Sequence, residues 1–314
     1  MKKELFNIYI DRLGHETLKR ILAPKIKDEE LRKMNKAECI NAFFSLNGRE
    51  NGNIAPVLIS NFGSYHQHIF LYRCEPSLKI KDLESKIAGL DFEGFQGNEI
   101  KFAASTVEKK ELFILFYAPF NISYHIPQDG GELRQRDILH TPVLFRFLGN
   151  RAVFSIMTFT KGDWSKLLPK GVIDSRSHFS EDEILTSVRQ FLIEHTGELP
   201  IDKLDFTDKA KEIIKMDEID LFSATKIKKC ETRHRSLIDT KRRQPRPLKV
   251  IVPEKIADIL DSPIITHLEI VLIDDKFGLP KDSRLTFLPS IGSFRIGRHL
   301  LEVNINELEN NLLY

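Results

Sequence analysis

Thr141–Leu148 (TPVLFRFL) and Arg151–Phe159 (RAVFSIMTF) stand on either side of Gly149-Asn150, and this stretch decides the fold class. Apolar residues alternate through both runs, and a two-residue turn of this kind matches the twist of two antiparallel strands. The spacing places Val143, Phe145 and Phe147 on one face with residues of the returning strand, and that face is expected to be buried. Working back, Glu111–Ala118 (ELFILFYA) is almost wholly apolar, as a central strand covered on both faces would be. Residues 99–107 add an alternating strand through Ile100, Phe102, Ala104 and Thr106, residues 68–74 another, and residues 57–60 a short one. A helix over 81–90 carries Leu83, Ile87 and Leu90 on one side.

Working forward, Ser180 with Glu183 three residues later forms a capping box ahead of Ile184, Leu185, Val188, Phe191 and Leu192, and Gly197 closes the helix. A second helix is expected over 207–219. Strands are expected at 248–252, 266–273, 284–288 and 294–303, with helices at 253–260 and 304–312.

Before the sheet, residues 4–47 show helical spacing: Leu5, Ile8, Tyr9 and Leu13, then Leu18, Ile21 and Leu22, broken at Gly14. Asp28 can cap a short helix, and Asn35 with Glu38 can cap the next, which bears Ile40, Phe43 and Phe44. GRENGN (48–53) marks a turn-rich junction. The expected architecture is α+β: an N-terminal helical bundle followed by a mixed, largely antiparallel sheet region with packed helices. The expected division is a helical domain at 1–50, a sheet domain at 51–224, a basic connecting strip at 225–249, and C-terminal strands and helices at 250–314 packed on the sheet domain.

With 314 residues the chain can build more than one core. Its 22 Phe against one Trp indicate that phenylalanine fills those cores. Cys39, Cys74 and Cys230 are odd in number, widely separated and outside any CxxC pair, which fits a reducing compartment. No apolar run reaches a membrane-spanning length, so an intracellular protein of cytoplasm or nucleus, without membrane insertion, is expected.

Charge is unevenly divided. Thr225–Lys249 (TKIKKCETRHRSLIDTKRRQPRPLK) contains Lys226, Lys228, Lys229, Arg233, Arg235, Lys241, Arg242, Arg243, Arg246 and Lys249 against Glu231 and Asp239 alone, a local charge of +8. The whole chain carries +2, so the remainder sums to −6. A basic strip on an acidic body is the electrostatic footprint of a phosphate-rich partner, DNA or RNA, and aromatic residues are too sparse within it for base stacking. A solvated linker is the plain alternative, with Pro245 and Pro247 extending its end.

Enzymatic chemistry finds less purchase. The chain has no GxxxxGK[ST], GxGxxG or GxSxG. Glu269, Asp274 and Asp275 are the best imitation of a metal-dependent nuclease site, with Lys276 beside them, but a polar turn accounts for them as well. Glu269 and Asp274 also fall on opposite faces of a regular strand. His66 and His68 would share a face in the manner of metal ligands, without a nameable third partner. Cys39 lies on the apolar side of a helix, as a buried small hydrophobe would. The expectation is a non-enzymatic nucleic-acid-binding protein without cofactor or bound metal. The alternatives are the nuclease and a protein-interaction scaffold in which acidic body and basic strip engage copies or partners.

The order of these segments resembles the kinetochore centromere protein N family. ETLKRILAPKIKDEELRKM and AECINAFFSL precede KELFILFYA and TPVLFRFLGNRAVFSIMTF, then EDEILTSVRQFLIEH and RPLKVIVPEKIADIL. The resemblance lies in element order, without a diagnostic motif. It implies a pyrin-like helical domain and a mixed sheet domain that together grip nucleosomal DNA, and it transfers no individual contact residue.

Overall fold

The computed structural model describes residues 2–75, 79–95, 97–128, 131–159, 180–217, 219–227, 234–237, 259–272 and 283–296, with residues 166, 172–173, 257, 279, 307 and 310 between and beyond them. The expected elements at 248–252, 297–303 and most of 253–258 and 304–312 lie outside the described residues. The fold is α+β, an N-terminal helical region followed by antiparallel sheet with helices between the strands. It divides into two compact units: residues 1–65 with 74–200, and residues 66–73 with 201–314.

The first unit opens with α1 (Lys2–Asp11), α2 (His15–Leu22), α3 (Asp28–Lys33), α4 (Lys36–Asn47) and α5 (Asn51–Ser60). α4 is capped as its sequence requires: Glu38 N donates to Asn35 Oδ1 at 3.0 Å, Asn35 N donates to Glu38 Oε2 at 2.6 Å, and Gly48 ends the helix at φ 72°. Asp28 does not cap α3. Lys27 takes that position and Asp28 begins the helix, where its charge favours the positive end of the dipole. The strand expected at 57–60 is the last turn of α5. Ile54, Ala55, Leu58 and Ile59 are buried at helical spacing, and four apolar residues alone cannot distinguish the two periods.

β1 (Gln67–Cys74) belongs chiefly to the second unit. In the first unit, α6 (Ile80–Ile87) leads to β2 (Lys101–Glu108), β3 (Glu111–Gln128), β4 (Gly131–Phe147) and β5 (Arg151–Met157), paired in that order and all antiparallel. The β4–β5 hairpin has the expected register. Leu148 N bonds Arg151 O at 2.9 Å around Gly149-Asn150, and Gly149 holds φ 78°, a conformation that only glycine adopts without cost. Phe145 lies opposite Phe154 with ring centroids 4.7 Å apart, and Val143, Phe145 and Phe147 are all fully buried.

β3 and β4 are longer than their apolar cores suggest. Pairing to β2 stops at Tyr117 and pairing to β5 at Val143, yet β3 and β4 continue together to Gln128 and Gly131. Pro119 falls just past the end of β2, where a missing backbone donor breaks no β2–β3 bond. β6 (Val172–Ile173) joins this extension at Tyr124 and His125. α7 (Glu181–Thr196) then packs on the sheet through Ile184, Leu185, Val188 and Leu192, with Phe191 stacked edge-on to Phe116 at 5.5 Å. Its cap is the expected one in part, Glu183 N donating to Ser180 Oγ at 3.3 Å.

The second unit contains β7 (Ile201–Lys203), α8 (Thr207–Lys215), β8 (Ile219–Ile227), β9 (His234–Leu237), β10 (Ile264–Leu272), β11 (Arg284–Leu288) and β12 (Ser293–Ile296). The sheet order is β1-β12-β11-β10-β8-β9, and β7 also pairs with β1. Ala210, Ile213 and Ile214 of α8 and Phe206 before it cover a core of Leu268, Ile270, Leu285, Phe287 and Phe294. Gly292 sits where three segments cross, at φ 65°. Its carbonyl accepts from Leu71 N at 2.8 Å, and a Cβ built on it would lie 2.2 Å from the Leu204 carbonyl oxygen.

Two outcomes follow for stability, each measured by denaturant unfolding of the full chain. Phe145→Ala empties a packed aromatic site and is expected to cost about 3–5 kcal/mol in the first unit. Gly292→Ala forces a methyl group into backbone and is expected to cost more than about 2 kcal/mol in the second. Unchanged unfolding midpoints would contradict the packing described.

Candidate functional site

The basic strip begins in regular structure. Lys226 lies on β8, its Cα opposite Ile265 of β10 on one side and His234 of β9 on the other, and Arg235 lies on β9. The first part of the strip therefore runs along the hairpin at the β9 end of the second unit's sheet. Lys228, Lys229, Arg233, Lys241, Arg242, Arg243, Arg246 and Lys249 lie outside the described residues.

One face of that sheet is polar from β12 to β10. The strand registers set Arg295, Thr286 and Glu269 in a row across it, with His68 of β1 at one end. Arg284 and His267 stand on the same face because neighbours two residues apart share a side. Arg284 Nη1 lies 3.7 Å from Glu269 Oε1 and is more than half exposed, and Arg295 is exposed. Burial holds the His267 imidazole below its ordinary pKa, Glu269 opposes that shift and Arg295 adds to it. His267 is therefore neutral at pH 7, and the lasting positive charge on this face comes from the two arginines.

His68 is a satisfied core histidine. It is 2 % exposed, Arg295 Nε donates to its Nδ1 at 3.3 Å, and its Nε2 lies 3.0 Å from Ser293 Oγ. Because Nδ1 accepts, the neutral ring carries its proton on Nε2 and donates it to the serine. Glu269 is engaged by Arg284, while Asp274 and Asp275 lie outside the described residues. Among the described residues no three His, Cys, Asp or Glu side chains are placed to hold a metal ion. Cys39 and Cys74 are buried free thiols, and burial pushes Cys74 up to about 12, so it remains protonated at neutral pH.

A second polar concavity belongs to the first unit and was not legible from charge or motif. A cleft of about 940 Å³ lies between the β3–β4 extension and the first turns of α7. His125, Arg134 and Arg136 line it, with Asn98, Asn121 and Ser123. The cross-strand register pairs His125 with Arg134 and Ser123 with Arg136, so these four share one face. His125 Nε2 lies 3.6 Å from Glu132 Oε1, whereas among the described residues neither arginine has a carboxylate partner. Tyr124, on the opposite face, has its hydroxyl 2.7 Å from both Asp137 Oδ2 and Gln135 Oε1. One phenolic proton cannot serve two acceptors. Donation to the Asp137 carboxylate, with the Gln135 amide turned to present its N–H, satisfies all three groups.

No family model matches the chain, and no curated protein matches it. No described helix is long and apolar enough to cross a membrane.

Alkaline titration tests the burial of the phenols. Burial, then the Asp137 hydrogen bond and charge, push Tyr124 up to about 12, and burial raises Tyr9 and Tyr65 well above the ordinary phenol range. A folded-state pKa above the unfolded value means that the folded chain holds its protons longer. Their contribution is therefore intact below pH of about 10 and is lost as pH rises through the raised pKa of each phenol, about 12 for Tyr124. Phenolate absorbance from these residues is expected to appear together with loss of the circular dichroism signal. Ionisation of all six tyrosines near pH of about 10 with the signal unchanged would refute it.

Proposed function

We propose that this chain is an intracellular, non-enzymatic nucleic-acid-binding protein that holds phosphate groups through the basic strip at 225–249. The observation that carries the proposal is the separation of charge, +8 in 25 residues against −6 in the rest. Further support comes from the second unit, where the strip starts on the β8–β9 hairpin and Arg284 and Arg295 occupy the polar face of the same sheet. Phosphate contacts of this kind fix a protein on nucleic acid with little reading of sequence. The resemblance of the element order to that of the centromere protein N family accords with this reading and assigns no residue. Buried, unpaired thiols at Cys39 and Cys74 accord with a reducing compartment.

Fluorescence anisotropy with duplex DNA, and in parallel with RNA of matched length, is the test. Each neutralised phosphate releases condensed counterion, so binding should weaken steeply with salt. Replacing Lys241, Arg242 and Arg243 by Ala removes up to three contacts and is expected to flatten the log–log salt slope on duplex DNA by about 2 to 3. A variant with the affinity and slope of the parent would retire the strip as the binding surface.

A further inference from the structure

We infer that the cleft between the β3–β4 extension and α7 is a binding site for a small polar phosphate ester, separate from the basic strip and independent of its function. Three observations converge. First, about 940 Å³ is within the size range of ligand sites, and the cleft is lined largely by amides, hydroxyls and charged groups. Second, Arg134 and Arg136 are successive same-face residues of β4, about 7 Å apart along the strand. They stand opposite His125 and Ser123 of β3. Two guanidinium forks with a hydroxyl and an imidazole across from them can surround a tetrahedral anion with donors. Third, the charges there are not consumed internally. Glu132 engages His125 and Asp137 engages Tyr124, which leaves both arginines, among the described residues, without an acidic partner.

The chemistry of the remaining wall narrows the ligand. Among the described residues that line the cleft, Arg134 and Arg136 face a single carboxylate, Glu183. Phe120 and Tyr124 border the cleft from the opposite face of β3 and are 6 % and 7 % exposed, so neither ring is presented for stacking a nucleobase. Asn98, Asn121 and Ser187 supply donors and acceptors suited to a polyol. A sugar phosphate fits this wall better than a nucleotide. A phosphate of the nucleic-acid backbone offers the same anion chemistry and is distinguished by experiment.

The test is calorimetric titration of the full chain with a hexose monophosphate, the unphosphorylated hexose and inorganic phosphate. Saturable binding is expected for the hexose monophosphate, weaker binding for inorganic phosphate and none for the hexose. Arg134 and Arg136 are exposed, so Arg134→Gln and Arg136→Gln are expected to retain the parent's circular dichroism spectrum, and each is expected to weaken hexose monophosphate binding about tenfold or more. The Lys241, Arg242 and Arg243 to Ala variant should bind it as the parent does. No saturable binding of either phosphate would overturn the inference, as would binding that survives both arginine substitutions or that disappears in the strip variant. An oligonucleotide that competes with the hexose monophosphate in the parent, and loses affinity in the two glutamine variants, would instead assign the cleft to nucleic acid and overturn the small-molecule site.

Discussion

Three buried phenols hold the first unit together. Tyr9, Tyr65 and Tyr117 are each fully buried, and each hydroxyl must find an acceptor inside the protein. Tyr65 donates to Tyr9 O at 2.9 Å, Tyr9 to His140 O at 2.7 Å, and Tyr117 to Asn51 Oδ1 at 2.9 Å. Asn51 in turn donates to Ala103 O at 2.8 Å, where β2 bulges between Phe102 and Ala104. The helices are thereby fastened to the sheet at defined backbone positions, since an unpaired buried hydroxyl would cost about 1–3 kcal/mol. Around these contacts Phe6, Phe92 and Phe95 pack against Tyr117 with centroids 4.9 to 6.0 Å apart. Dispersion fills the space and the hydroxyls fix the register.

What could be read beforehand follows from which forces act locally. The β4–β5 hairpin, the box at Asn35 and Glu38 and the cap at Ser180 are set by residues within a few positions of one another, and they stand where the sequence places them. The strand expected at 57–60 is helix instead because Val57-Leu58-Ile59 is too short a run to show a period, and the helical face becomes visible only with Ile54 and Ala55 included. The outer halves of β3 and β4 leave no mark in the sequence pattern for the opposite reason. Pro119, Pro127 and the charged Glu132–Asp137 run have poor strand propensity, and the seventeen residue pairs between β3 and β4 override it.

The same division applies to the candidate sites. Charge density is a local property, so the strip was visible in the sequence. The alignment of Arg284 and Arg295 on one sheet face, and of His125 with Arg134, depends on strand pairing that no spacing rule supplies. His68 shows the converse. Its spacing from His66 suggests a metal ligand, but Ser293 and Arg295, more than two hundred residues away, occupy both ring nitrogens. With both nitrogens engaged, the ring has no lone pair to offer a cation.

The two proposed anion contacts differ in physical character. The strip concentrates charge along the chain, and its attraction to a polyanion scales with the number of phosphates neutralised and is screened by salt. The proposed cleft site sets two guanidiniums on one strand face, where their worth depends on geometry and on their lack of a carboxylate partner among the described residues. Arg134 and Arg136 lie in the outer half of β4, beyond the last residue paired to β5. Leaving them unmatched costs little at an exposed edge and keeps their hydrogen-bonding capacity for a ligand.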